Sequence, residues 1–222
     1  MTSALAITYN EAPMLRTKVA AGELPPVGER LPLEPKVLSA ERNEVPKENL
    51  DFEIGEYGGI LRSVQIDPGY NPDIFVMLCE PLVSAPGILA KDIKGNVLKD
   101  FEVSEDEKVF TFHMREGLKW SDGYPVTTED VLFAYEDVLM NEKIVPVIST
   151  WLRAGNKPTG EPFNLKIIDD FTFRISFAEP YGAFPVWLAV IGWASYQDLL
   201  KPKHYLKSFH PRYVPLEKLE PL

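Results

Sequence analysis

The side chains to weigh first for chemistry are one cysteine, three histidines and a few adjacent carboxylates. Cys79 lies in an apolar helical pattern with Phe75, Val76 and Leu78. A nucleophilic thiolate needs a neighbouring base to lower its pKa, and no such partner is visible, so Cys79 reads as a buried core residue. His204 and His210 are six residues apart, which is not the spacing at which two histidines on one helical face grip zinc. Those two and His113 read as structural. Glu129-Asp130 reads as a helix start and Asp169-Asp170 as a turn. Glycosidase chemistry stays open in principle, because its two carboxylates meet only in space. The chain contains no GxSxG, no P-loop and no GxGxxG. No catalytic residue, metal site or cofactor is expected. The indoles are more suggestive: Trp120, Trp151, Trp187 and Trp193. Trp120 and Trp187 read as core. Trp193-Ala194-Ser195-Tyr196 joins two aromatics to small polar neighbours, a combination that suits a sugar- or peptide-binding cleft as well as a core.

Composition narrows the partners. The chain has 222 residues with 33 Asp and Glu against 23 Lys and Arg, a formal net charge of -10. Phosphate binding needs a basic stripe, and none is visible, so a nucleic-acid partner is not expected. The longest mostly apolar stretch, Ala183 to Ala194, falls short of the roughly 20 residues a membrane span requires. Ala4-Leu5-Ala6 has the form of a signal-peptidase site, but no basic and long apolar region precedes it. One cysteine excludes an intrachain disulfide.

The elements that would position these residues follow from pattern. Six of the 20 prolines fall in the first fifty residues, which argues against long helices or central strands there. One short helix fits, with Pro13 in its first turn and Gly22 closing it. After it an extended arm is expected to pack on a larger body through Val27, Leu31, Leu33, Val37 and Leu38. Ile60, Val64 and Ile66 share one face at period two and predict a strand. Asp73 can cap a helix that Glu80-Pro81 stops. Phe101 to Val103 and Val109 to Met114 predict a hairpin around Ser104 to Lys108, with Phe110, Phe112 and Met114 on one face. Ser121-Asp122-Gly123 is a turn. Thr127 can cap a helix carrying acids in its first turn, with Val131, Ala134, Tyr135 and Val138 at helical spacing. Leu165, Ile167 and Thr172 to Phe177 form a second strand pair. Tyr181 to Leu206 is expected to be mainly helical and rather buried.

The run from Phe101 through Gly123, with its hairpin, Met114-Arg115-Glu116-Gly117 and Trp120-Ser121-Asp122-Gly123, resembles the signature of the family 5 extracellular solute-binding proteins. These are the peptide, oligosaccharide and nickel receptors of bacterial ABC importers. Pro125-Val126-Thr127-Thr128-Glu129-Asp130-Val131 is similar to the family's next segment, with Thr128 where alanine is usual. Asn71-Pro72, Glu80-Pro81-Leu82 and Pro202-Lys203-His204-Tyr205-Leu206 extend the likeness over roughly Tyr57 to Leu206. The proline-rich arm resembles leaders of one branch of the family.

The resemblance implies a mixed α/β (α+β) fold: the first lobe of a type II periplasmic-binding-protein-like fold with an inserted α+β subdomain, the second lobe missing. It divides the chain into a proline-rich arm with a short helix (1–56), parts of lobe one (57–70 and 178–222) and the inserted subdomain (71–177). The chain would be the N-terminal part of a receptor that captures an extracytoplasmic solute and hands it to the membrane subunits of an ABC permease, by binding and closure and not by catalysis. It would be exported, to the periplasm or the cell surface. An oligopeptide is the first choice of ligand and an oligosaccharide the second. A stand-alone single-lobe interaction module is the alternative class. By position, Asp67 and Asn71 after the first strand, and Trp193 and Tyr196 before the chain leaves the lobe, are the candidate cleft residues.

Overall fold

The computed structural model describes residues 9–37, 56–60, 62, 64, 80–85, 93–190 and 198–219. Its centre is a four-stranded antiparallel sheet of β3 (Leu98–Val103), β4 (Val109–Met114), β5 (Asn164–Asp169) and β6 (Thr172–Ser176). The strands lie in the order β3-β4-β6-β5. Both predicted hairpins are present, and their facing residues follow the period of two. Phe110, Phe112 and Met114 are buried while Val109, Thr111 and His113 are only partly covered. Phe173 and Ile175 alternate in the same way with Thr172, Arg174 and Ser176. Cross-strand registry then sets Phe112 opposite Phe173, their rings stacked at 5.2 Å between centroids. Each outer strand carries an irregularity, at Leu98/Asp100 in β3 and at Ile167/Asp169 in β5. Bulges of this kind blunt a sheet edge against pairing with another chain.

The apolar sheet face is covered by the segment after β6. Tyr181 N–H donates to the Glu107 carbonyl at 2.8 Å, and α4 (Phe184–Val190) follows. Phe184 is fully buried, with its ring 5.1 Å from that of Phe110 and 4.9 Å from that of Phe177. Tyr181, Phe184 and Leu188 thus share one core with the sheet, so residues on both sides of position 177 bury each other. Trp151 belongs to that core, and Trp120 and Trp187 pack partly buried against it, as expected for the latter two.

The helix expected after Thr127 is α3 (Thr128–Phe133), which continues as a π-helical stretch over Ala134–Leu139. Thr127 and Asp130 form a reciprocal capping box. The last α-helix among the described residues is α5 (Lys203–Leu206), followed by 3₁₀ turns at Lys207–Phe209 and Leu216–Lys218. Among the described residues, no helix is long and apolar enough to cross a membrane.

Three further pieces complete the picture. Two short strands, β1 (Val83–Ser84) and β2 (Lys94–Gly95), pair antiparallel, and the chain then folds back sharply into β3. A Cβ at Gly95 would sit 1.9 Å from the Lys99 carbonyl oxygen. Backbone must move to admit it, so Gly95→Ala is expected to cost about 1–3 kcal/mol, read as a lower urea midpoint with an unchanged slope. The predicted N-terminal helix is present as a 3₁₀ turn (Pro13–Leu15) running into α1 (Arg16–Ala20). Gly22 follows at φ +72°. Helix α2 (Val27–Arg30) comes next.

Two expectations are corrected. The arm does lie on the body, but only part of its apolar set is covered: Val27 and Leu31 are partly buried, whereas Leu33 is 73% and Val37 52% exposed. Backbone and charged groups also hold it, because a proline-rich extended segment leaves its carbonyls and amides free for partners. The strand predicted near Ile60 does not form in the described residues 56–60, 62 and 64. Ile60 and Val64 are largely exposed. A period-two pattern becomes a strand only where an edge and a covering face receive it. Leu38, Ile66, Cys79 and the helix expected after Asp73 lie outside the described residues.

Candidate functional site

Asp67, Asn71, Trp193 and Tyr196 all lie outside the described residues. What the structure does bring together are the signature segments, and the centre of that convergence is Asp130. Its side chain is buried, 3% exposed. One carboxylate oxygen accepts from Trp120 Nε1 at 3.0 Å and from the Thr127 amide at 3.2 Å. The other accepts from the Lys203 amide at 2.9 Å. A single carboxylate therefore ties the Trp120–Gly123 turn, the start of α3 and the start of α5. The capping-box spacing Thr127 to Asp130 is legible in sequence. The reach to Lys203 is not.

The same three segments meet again on the surface. Tyr124 and His204 stack with ring centroids 4.0 Å apart and planes 9° from parallel. His204 Nε2 lies 2.7 Å from Asp122 Oδ2. The His204 hydrogen bond, followed by that from the Tyr124 amide, holds the Asp122 carboxyl below its ordinary range. Lys203 also pairs with Glu129. Thr128, the first residue of α3, fastens the helix to the β5–β6 turn, its hydroxyl donating to the Asp169 carbonyl at 2.8 Å.

A second polar cluster sits on the π-helical stretch. Asp137 is 4% exposed, and it accepts from Arg212 Nη1 and from the Tyr213 hydroxyl, each at 2.7 Å. His210 is buried, with Nε2 2.9 Å from the Asp137 carbonyl and Nδ1 accepting the Arg212 amide at 3.2 Å. Both ring nitrogens are thus used, as suits a structural histidine. Burial works to raise the Asp137 carboxyl, and the Tyr213 and Arg212 hydrogen bonds outweigh it, leaving it below its ordinary value. Burial and the same carboxylate push the Tyr213 phenol up to about 12. A depressed carboxyl contributes stability that is present above its unfolded value, about 3.9, and is lost as pH falls through the folded one. Asp137→Asn is therefore expected to flatten the acid limb of stability below about pH 4. Urea unfolding of both proteins from pH 2.5 to 7 measures this, with the gap between them widest at neutral pH.

Three of the concave surfaces among the described residues are sizeable. A mostly apolar cleft of about 480 Å³ lies between the arm and the body, walled by Leu31, Pro32 and Pro35 on one side and Pro81, Val97 and Leu118 on the other. A polar hollow of about 750 Å³ lies by the β5–β6 turn, near His113, Asp100 and Asp170. The third, about 540 Å³, adjoins Tyr124 and Lys207. Among the described residues no group of three or more His, Cys, Asp or Glu is placed to hold a metal ion.

A sheet of two hairpins, a Trp-to-Asp turn lock and a capped helix joined to a Pro-Lys-His segment make up the scaffold of the described residues. Residues 92–210 match the family model described as bacterial extracellular solute-binding proteins, family 5 Middle, and the chain belongs to that family. It is 33% identical to the periplasmic alpha-galactoside-binding protein of Rhizobium meliloti (strain 1021), over 93% of this chain and 30% of that protein. It is also 33% identical to the periplasmic oligopeptide-binding protein OppA of Salmonella typhimurium, over 44% of this chain and 20% of that one. Among solved structures, a chain named oligopeptide-binding protein OppA superposes with a TM-score of 0.77 at 33% identity, covering 99% of this chain and 31% of its own. The periplasmic binding protein MelB of Agrobacterium fabrum C58, in complex with stachyose, gives 0.68 at 26% identity, covering 95% and 32%. The chain thus spans about a third or less of the length of these relatives. The curated relatives are named as periplasmic proteins.

Proposed function

We propose that the protein carrying this chain is the solute receptor of an ABC importer, exported from the cytoplasm, with an oligopeptide as its ligand and permease membrane subunits as its recipient. It works by binding and closure, and no step of catalysis is assigned to it. The observation that carries the peptide reading is the superposition of nearly the whole chain on a structure named as an oligopeptide-binding protein. A net charge of -10 adds a long-range field that favours neutral or cationic ligands over anionic ones. Asp67, Asn71, Trp193 and Tyr196 are proposed to line the ligand cleft. The proposed organisation is an arm (1–56), lobe-one parts (57–70 and 178–222) and an inserted subdomain (71–177).

A second reading has its own support: the alpha-galactoside-binding relative aligns along 93% of this chain. Titration calorimetry of the full natural protein, with mixed tri- to pentapeptides and with stachyose, separates the two. Saturable heat with peptides alone is the expected result. Heat with stachyose alone moves the assignment to oligosaccharides, and heat with neither retires both. With whichever ligand binds, Trp193→Ala is expected to weaken affinity about tenfold or more, the usual effect of removing a central aromatic contact. An unchanged affinity would take Trp193 out of the cleft.

A further inference from the structure

Every residue from Arg115 to Lys119 meets the N-terminal arm. Arg115 Nη1 donates to the Glu34 carbonyl at 2.7 Å. The Glu116 carbonyl accepts the Leu33 amide at 2.9 Å. Gly117 has φ +78°, and a Cβ there would lie 3.4 Å from Leu33 N and 3.6 Å from Pro32 Cα. Leu118 shares the apolar cleft with Leu31 and Pro32. Lys119 Nζ donates to the Glu29 carbonyl. Three of these contacts read main-chain atoms of the arm, so the run recognises an extended backbone, and beside it the Lys36 side chain donates to Asn96 Oδ1 at 2.8 Å and to Ser84 Oγ at 3.1 Å. Proline recurs at 32 and 35, and its fixed φ lowers the entropy lost when such a segment docks. The outward Leu33 and Val37 side chains add little apolar burial. The Lys99–Glu34 pair is 2.7 Å long but well exposed, hence screened by salt.

We infer that the Arg115–Lys119 run is a docking surface for an extended, proline-containing peptide, occupied in cis by arm residues 29–36, and that the arm leaves it as a unit without opening the core. This reading is independent of which solute the protein carries. The sequence signature so far explained as scaffold gains a partner, the chain's own leader. The cleft of about 480 Å³ beside the docked segment supplies apolar walls for its side chains.

The test keeps the chain whole. Leu33→Pro removes the amide that Glu116 accepts, and Glu34→Lys turns the attraction to Lys99 into repulsion. The double variant is compared with wild type by amide exchange, and both are titrated with a fluorescein-labelled peptide of residues 24–37. Exchange of the Leu33 amide, followed in Glu34→Lys alone because Leu33→Pro removes that N–H, is expected to rise at least tenfold while Phe112 and Ile175 stay as protected as in wild type. The peptide is expected to bind the double variant at least tenfold more tightly than wild type, whose dock is filled. It should also bind it at least tenfold more tightly than a triple variant that adds Arg115→Ala. Unchanged exchange in the arm, no binding to the double variant, or equal binding to all three proteins would overturn the inference. Loss of protection at Phe112 or Ile175 would overturn the claim that the arm leaves without opening the core.

Discussion

Asp130→Ala is expected to destabilise the protein by about 3–5 kcal/mol, more than any other polar substitution described here. The carboxylate itself is the lesser part of that loss. Removing it leaves the Trp120 indole N–H and the amides of Thr127 and Lys203 without their acceptor, in a place where Asp130 is only 3% exposed. Each orphaned buried donor costs about 1–3 kcal/mol, reduced where water can enter the space that the side chain vacates. Asp130→Asn should cost less, because its amide keeps one acceptor oxygen but sets an NH₂ against a donor. Urea denaturation ranks the three proteins. Trp120 fluorescence gives a second reading, since its indole loses a charged partner. An Asp130→Ala midpoint equal to wild type would show that the three segments are held by packing and not by this carboxylate.

Phe184→Ala is expected to cost about 3–5 kcal/mol and to do so in a single transition. Phe184 is wholly buried among the rings of Phe110, Phe177, Tyr181 and Trp151, at centroid distances of 4.9 to 6.3 Å. Truncation removes these contacts and leaves a cavity that stiff aromatic neighbours cannot collapse. Phe184 falls after position 177, where the proposed organisation passes from the inserted subdomain back to lobe one, while Phe110 lies before it. If the two regions unfold together, the midpoint falls with no change of slope. If they unfold separately, Phe184→Ala splits the curve into two steps, and the burial across position 177 is then not enough to couple them.

The substitutions probe two kinds of linkage that sequence reports unequally. Local rules were enough for β4, where Phe110, Phe112 and Met114 alternate with smaller or polar residues, and for α3, where Thr127 and Asp130 stand at capping-box spacing. Such features depend on residues within a turn or two of each other, so period and cap are visible in one dimension. The family likeness of residues 101–131 and 202–206 was legible for the same reason: each of its segments is a local device.

The arm shows where that reasoning stops. Its recurring apolar residues predicted burial, yet only Leu31 and the prolines at 32 and 35 face the apolar cleft, while Leu33 and Val37 face solvent and the arm's main chain meets Arg115, Glu116 and Lys119. Nothing in the spacing of Leu31 to Val37 records what lies opposite. At the described positions Ile60, Arg62 and Val64 the period-two run likewise takes no strand conformation: alternation gives a strand its two faces but not the neighbouring edge it needs.

By itself, then, the sequence determined the two hairpins, the capped helix, the Asp122-Gly123 turn and the family. Each rests on short-range periodicity, capping or turn chemistry. Only the tertiary structure decided that Asp130 reaches 73 residues ahead to Lys203, that Asp137 is gripped by Arg212 and Tyr213, and that the Arg115–Lys119 run receives the arm. Those contacts join segments distant in the chain, and their existence depends on how the layers stack, which is a property of the packed core and not of any window of residues.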